Sequence, residues 1–318
     1  MRFIRGSKQA RIGRLPRHLV RPAAYLLERD VVGSVFLRAA LVDKQSFRGS
    51  HFLALFDDDG EIRALCFHGA NLAPWGFDDD GLELLGDYLG HETIFASSLV
   101  GPADQVMGLW SRINWRFPHP RDIRPHQLSM VFEPYRNSRF AADIKPGRST
   151  LVGAPHKTEM NLHGDGEERL GAVVGVRRGT LNDFDIVFPA SVAMFVEEVG
   201  YDPTIYGDGY AKRVRQLLAE GRTFIQTGKD PYGVERVEFK ADIGVLVNGH
   251  AQIQGVWTAP DLRGQGIASG LIYDVSKFIV KNIAPTVSLY VNDFNHAAVR
   301  VYDKAGFVQV GEFATVLL

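Results

Sequence analysis

A strand that runs into a glycine turn and then a helix, Gln252 to Ala268, constrains this chain more than any other stretch. Gln252-Ile253-Gln254-Gly255-Val256-Trp257-Thr258 is rich in β-branched and aromatic residues and has no helical period, so it predicts a strand. Pro260 ends that strand by removing an amide donor and fixing φ. Arg263-Gly264-Gln265-Gly266 then makes a tight turn that glycines adopt at least cost. From Ile267 onward Ala268, Leu271, Ile272, Val275, Phe278 and Ile279 recur at helical spacing. Such an arrangement points unpaired backbone N–H groups and the positive end of a helix at an anion, and a diphosphate is the expected ligand.

Composition narrows the partners. A net charge of −1 argues against a nucleic acid as partner. No apolar run approaches the roughly 20 residues that span a bilayer, so no membrane partner is expected. The one cysteine, Cys66, excludes an internal disulfide and points to a reducing cytoplasm. It lies in the apolar run Ala64-Leu65-Cys66-Phe67 and is expected to be a buried, inert thiol. Met1 to Arg21 carries seven Lys and Arg residues and no acid, and reads as a solvated arm followed by a first strand. His156 and His163 are too isolated to suggest a metal site, and none is expected.

Along the first half, a helical pattern opens at Pro22 and runs through Leu26, Leu27, Val31, Val35 and Phe36. Phe52–Phe56 and Glu61–His68 read as two strands joined by the acidic tip Asp57-Asp58-Asp59-Gly60. Asp78-Asp79-Asp80-Gly81 reads as similar turn chemistry before a helix at 82–89. A strand at Thr93–Ser98, a helix carrying Val106, Leu109, Trp110 and Ile113, and a strand at Leu128–Phe132 follow. This repeats the strand–turn–helix order of Gln252 to Ala268 without its arginine and glycine pair, as in two copies of one fold of which the first has lost its anion site. Residues 136–166 are rich in Arg, Pro, Gly, Ser and His and predict a linker, dividing the chain into domains 1–135 and 167–318. The second half predicts a strand at Gly171–Arg177, helices at 184–200 and 206–221, strands at 222–226 and 234–247, and a hairpin at Asn248-Gly249. A strand at Thr286–Val291, a helix at Asn295–Lys304 and one or two last strands close the chain. The fold class is α/β, a mainly antiparallel mixed sheet flanked by helices.

Val256-x-Thr258-x-Pro260-x-x-Arg263-Gly264-x-Gly266-Ile267-Ala268 resembles the acyl-CoA motif of the GNAT acyltransferases, whose core is Arg/Gln-x-x-Gly-x-Gly/Ala. One helix and one loop later, Asn295-x-x-Ala298-x-x-Val301-Tyr302-x-x-x-Gly306-Phe307 is similar to that family's second signature. The resemblance covers residues 165–318 and implies a GNAT fold, with the first half a degenerate copy. The whole chain also resembles an actinobacterial group in which an N-terminal domain of unknown function is fused to a C-terminal GNAT domain. Its tandem layout is more distantly similar to mycothiol synthase. A Rossmann turn fits worse, because Ser269 stands where that motif wants Gly or Ala.

The resemblance implies an acetyl-CoA-dependent acetyltransferase acting on an amine by direct attack in a ternary complex, with a coenzyme A thioester and an unidentified amine acceptor as partners. The amides of Gly264, Gln265, Gly266, Ile267 and Ala268 would donate to the diphosphate, with Arg263 facing phosphate or fixing the turn. The backbone of Val256, Trp257 and Thr258 would take the pantetheine arm as an added strand. Asn295 would cap its helix and touch the cofactor. Tyr302 would protonate the leaving thiolate. Several GNAT enzymes keep a glutamate where Gln252 stands, and an amide accepts no proton. Replacement bases are Glu198, the first choice, then Glu197, His250 and Asp293. The missing glutamate also admits an alternative, a non-catalytic acyl-CoA-binding regulator or scaffold. Two similar halves packed as a pseudo-dimer would let a monomer or weak dimer suffice.

Overall fold

The structure is a computed structural model that describes residues 10–42, 51–134 and 175–318. The 136–166 linker and most of the strand expected at 171–177 lie outside the described residues. Two runs of elements repeat one order. The first is β1 (Arg11–Arg14), α1 (Val20–Leu27), α2 (Val35–Val42), β2 (Phe52–Phe56), β3 (Ile62–His68), β4 (Leu72–Trp75), α3 (Asp79–His91), β5 (Ser98–Pro102), α4 (Ala103–Ile113) and β6 (Asp122–Phe132). The second is β7 (Arg177–Arg178), α5 (Phe184–Val199), α6 (Gly209–Ala219), β8 (Thr223–Lys229), β9 (Glu235–Val247), β10 (His250–Thr258), α7 (Ile267–Asn282), β11 (Thr286–Asn292), α8 (His296–Lys304) and β12 (Phe307–Leu317). Short 3-10 turns aside, both read strand, two helices, three strands, helix, strand, helix, strand.

The chain forms two compact units, and the division does not fall at one point in sequence. The first unit holds residues 1–130 together with Tyr290–His296 and Gln309–Leu318, and the second holds Val131–Leu289 and Ala297–Val308. The strand order in the first is β1-β2-β3-β4-β5-β12-β6. Its neighbour to β5 is therefore the last strand of the chain, paired antiparallel from Phe313↔Pro102 to Leu317↔Ser98. One face of this sheet packs Leu53, Leu55, Leu99 and Val316 against Leu82, Leu85 and Leu89 of α3 and Val106, Leu109 and Ile113 of α4. The other packs Phe52, Ala54 and Phe56 against Leu27, Leu37 and Leu41 of α1 and α2. With both faces covered, β2 reads as an unbroken apolar run rather than an alternating one.

In the second unit the order is β11-β10-β9-β8-β7. Val187 and Ala190 of α5 and Val214 and Leu218 of α6 pack on Ile225 and Val237 on one side of the sheet. On α7, Phe278 meets Phe224 edge-on at 5.9 Å. The Asn248-Gly249 hairpin forms as expected, with φ of 32° and 76° at its two residues.

Several sequence expectations change. The early helical pattern splits into α1 and α2, because Asp30 accepts from Gly33 N at 2.8 Å and Ser34 Oγ donates to Leu27 O at 2.8 Å, closing the first helix. Asp78 is a helix cap rather than a turn residue: its side chain accepts from Gly81 N, and Asp79 and Asp80 fill the first turn of α3. The strand expected at 93–98 begins only at Ser98, and β4, which contains Pro74, carried no strand signal in the sequence. A single strand, β12, closes the chain.

Candidate acyl-CoA site

The glycine turn is built as an open cradle. Pro260–Leu262 forms one 3-10 turn after β10, and Arg236 of β9 forks onto Asp261 at 2.5 and 3.0 Å to hold it. Gly264 and Gly266 follow with φ of 76° and 79°, and a side-chain carbon added to either would meet nothing within 4 Å. Gly266 is the N-cap of α7 and supplies no side-chain cap. The first N–H groups of a 16-residue helix thus face an exposed turn without a side-chain acceptor at the cap position. Space, left-handed glycines and a helix start together fit a diphosphate.

Arg263 is turned away from that role and onto the strand end. Its Nε donates to Thr258 O at 2.9 Å, and its guanidinium donates to Glu197 Oε2 at 2.8 Å and Oε1 at 3.1 Å. Trp257 Nε1 donates to the same Glu197 at 3.3 Å. The end of α5 therefore clamps both sides of the turn, and Arg263 braces it in this geometry.

β10 changes character along its length. Its parallel pairing with β11 runs His250↔Thr286, Ala251↔Val287 and Gln252↔Ser288 and stops there. On its β9 side the register shifts between Gln254 and Trp257, a bulge centred on Gly255 with φ 57°. Val256 lies within this bulge and Trp257 and Thr258 just past it, and all three are half-buried. A strand that loses one neighbour and bulges next to the other is suited to accept an extended, amide-bearing chain.

Tyr302 of α8 is 8% exposed and packs its ring edge-on against Phe307 at 5.8 Å. Burial first, and the negative charge of Glu198 second, push its phenol above the ordinary value. Glu198 itself is exposed near the end of α5. The charge of the first-choice base thus acts on the sequence-predicted acid within the second unit. Asn295 is exposed, directly precedes α8, and belongs with Tyr290–His296 to the first unit.

The other replacement bases are engaged elsewhere. Glu197 holds Arg263 and Trp257, and buried His250 places Nε2 2.7 Å from Ser288 Oγ. Asp293 accepts from Phe294 N at 2.8 Å. Gln252 is buried, and its Oε1 accepts from Gln254 Nε2 at 2.9 Å.

Two residues at this site had no place in the sequence reading. Lys240 of β9 is fully buried; its Nζ donates to Asp242 Oδ2 at 2.6 Å and to the bulge carbonyl, Gly255 O, at 2.9 Å. A charged pair two apart on a strand looks like a solvent-facing edge. The signal that could have found them is the apolar helix Phe184–Val199, which covers that face.

Comparison with known proteins gives two family matches. Residues 225–307 match the Acetyltransferase (GNAT) family, and residues 51–151 match a domain of unknown function, DUF4081. Among solved structures, an acetyltransferase from the GNAT family of Colwellia psychrerythraea is similar at TM-score 0.56 and 10% identity, covering 97% of this chain and 98% of that one. A Drosophila protein is similar at TM-score 0.56 and 13% identity, covering 98% and 99%. These likenesses establish the fold over the length of the chain. A search of curated proteins gives no match, and the likeness to mycothiol synthase finds no support there. Among the described residues no helix is long and apolar enough to cross a membrane, and no cluster of His, Cys, Asp and Glu could hold a metal ion.

Proposed function

From the GNAT acetyltransferase domain that residues 225–307 form, we propose that the chain moves an acetyl group from acetyl-CoA to an amine by direct attack in a ternary complex. The observation that carries the proposal is the open, left-handed glycine turn feeding a helix with no side-chain cap. One helix start contributes about 0.3–1 kcal/mol to holding an anion, so the amides from Gly264 to Ala268 act together on the diphosphate. Arg263 holds the turn that presents them, through Thr258 and Glu197. The backbone of Val256 to Thr258 receives the pantetheine arm.

In the transfer, a bond forms from the amine nitrogen to the acetyl carbon while the carbon–sulfur bond breaks. Tyr302 hands its proton to the departing thiolate, whose conjugate acid has a pKa of about 8.5 with cysteine as stand-in. Burial favours the neutral phenol, which keeps the donor loaded at working pH. Glu198 takes the proton that the amine loses, directly or through water, and its charge beside Tyr302 opposes premature ionisation of the phenol. The acceptor surface is built from loops and from α5 and α6, which vary with substrate in any such fold.

The test is calorimetric titration with acetyl-CoA, followed by thiol release with a panel of amines, aminoglycosides and peptides. Binding together with thiol release for at least one class is expected. A chain that binds no acetyl-CoA overturns the proposal, and one that binds it tightly yet releases thiol with no acceptor is a binding protein.

A further inference from the structure

The buried pair Lys240–Asp242 is a poor device for stability. Two ions taken out of water lose several kcal/mol of solvation each, and apolar replacements of similar volume are often as stable or more so. This pair is also incomplete: among the described residues, Asp242 Oδ1 is buried with no hydrogen-bond partner. The pair's third contact is more informative. Lys240 Nζ holds Gly255 O, the carbonyl at the bulge of β10.

The local geometry leaves that carbonyl little freedom. Gly255 has φ 57°, and a side-chain carbon there would sit 2.9 Å from Asp242 Oδ2, 3.2 Å from Lys240 Nζ and 3.4 Å from Met194 Cε of α5. The chain packs around a bare glycine at this point. Among the described residues no peptide bond is cis, so the carbonyl of Gly255 and the N–H of Val256, which share one peptide plane, point in opposite directions. Fixing the first on Lys240 fixes the second facing away from it. Val256 opens the Val256–Thr258 segment, so the ammonium sets the orientation from which that edge starts. Charged and titratable groups around the pair include Tyr210 of α6, which is raised by burial and then by the charge of Asp242, and Arg213, on which Asp242 also acts. Tyr210 donates to Ser191 O at 2.9 Å and so closes the α5–α6 side of the cluster.

We infer that Lys240, neutralised by Asp242, is a positioning residue that locks the β10 bulge so that the Val256–Thr258 edge is preformed for the amide-bearing arm of an acyl-CoA. The inference rests on the reading of that edge as the pantetheine site. It assigns Lys240 no contact with the ligand and no part in proton transfer.

The test separates the arm from the phosphates. Lys240→Met alone leaves Asp242 as an unpaired buried charge and can fail to fold. The double variant Lys240→Met/Asp242→Leu removes both charges at similar volume and serves as the main variant. Calorimetry with two probes, acetyl-CoA and adenosine 3′,5′-bisphosphate, is run on wild type and double variant, with thermal denaturation alongside. The expected result is an acetyl-CoA affinity about tenfold weaker, the size of one well-oriented hydrogen bond, with the bisphosphate unchanged. Unchanged affinity for both probes overturns the inference, as does an equal loss for both, which marks the pair as a general prop. A wild type that binds neither probe removes the cofactor reading, and this inference with it, before any variant is compared.

Discussion

Gly266→Glu separates the backbone chemistry of the turn from its electrostatics. Gly266 sits at φ 79° with nothing within 4 Å of an added side-chain carbon, so the folded protein meets conformational strain but no clash. An L-residue in the left-handed region costs about 1–2 kcal/mol. A carboxylate at a helix N-terminus returns about 0.3–1 kcal/mol through the helix dipole. The net loss of stability is therefore about 1 kcal/mol, or roughly 2–4 °C in Tm for a unit of this size. Binding suffers far more. A carboxylate on the order of 5 Å from a doubly charged diphosphate is repelled by about 2 kcal/mol in a water-like medium and several times that at an effective dielectric of 20. The acetyl-CoA affinity should then fall at least about thirtyfold. Gly266→Ala carries the same backbone strain without the charge, and should lose similar stability while keeping most of the affinity. Calorimetry and thermal denaturation on both variants measure the two quantities separately. Equal acetyl-CoA affinity in the Glu and Ala variants would refute the assignment of the diphosphate to this turn.

Tyr302→Phe keeps the edge-on packing against Phe307 and removes only the hydroxyl; acetyl-CoA affinity should hold while thiol release falls about 10²-fold or more, as for loss of a general acid. Asp183 gives an acid-dependent term: burial works against its charge, but Arg177 at 2.6 and 2.9 Å and the amide and hydroxyl of Thr180 hold its carboxyl below the usual value. A depressed carboxyl stabilises the fold above its unfolded value of about 3.9 and loses that contribution as pH falls through the folded value, so Asp183→Ala should cost about 1 kcal/mol near neutrality and less in acid, by denaturant titration at two pH values. Cys66 is 0% exposed and burial pushes its thiol up to about 12, so iodoacetamide at neutral pH should leave it unlabelled in the native protein and label it in denaturant, by mass spectrometry.

What the sequence made legible is what depends on neighbours along the chain. The turn at Gly264 and Gly266 needs left-handed backbone, and the residue type that adopts it cheaply is visible in any sequence. The apolar period of α7 and the β-branched run of β10 are equally local, and so is the Asn248-Gly249 hairpin. Pairing between distant strands leaves no such trace. Nothing in the alternation of Phe307–Leu317 says that it pairs with β5 rather than with a strand of its own half. The division at 136–166 therefore carries no sign that Tyr290–His296 and Gln309–Leu318 pack with the first unit.

The Lys240–Asp242 pair was hidden by a different mechanism, and that mechanism bears on the chemistry. Strict alternation would place Val237 and Asp242 on opposite faces of β9. The pairing with β8 shifts by one residue between Gln226 and Thr227, and a one-residue shift exchanges the two faces. Val237 packs with Val187 of α5, and the charge of Asp242 reaches Tyr210 of α6, so both lie on the helix-covered side. A further shift, in β10 at Gly255, brings the carbonyl there within reach of Lys240. Register shifts on adjacent strands thus convert what reads as a solvent-facing charge pattern into a buried brace beside the site. Gln252 lies before the Gly255 bulge and at the edge of another register shift against β9, between Gln252 and Ile253, still in register with Ser288 of β11 and tied to Gln254. A glutamate introduced at that position would still accept from Gln254 Nε2, but it would place a carboxylate in a buried environment and remove the amide donor that glutamine supplies there. If Glu198 is the base, as proposed above, Gln252→Glu should lower stability without raising turnover, since the charge of Glu198 already acts on Tyr302 at the α5 end. A Gln252→Glu variant that folds as well as wild type and turns over faster would show that the strand position, not Glu198, is where this chain needs its base.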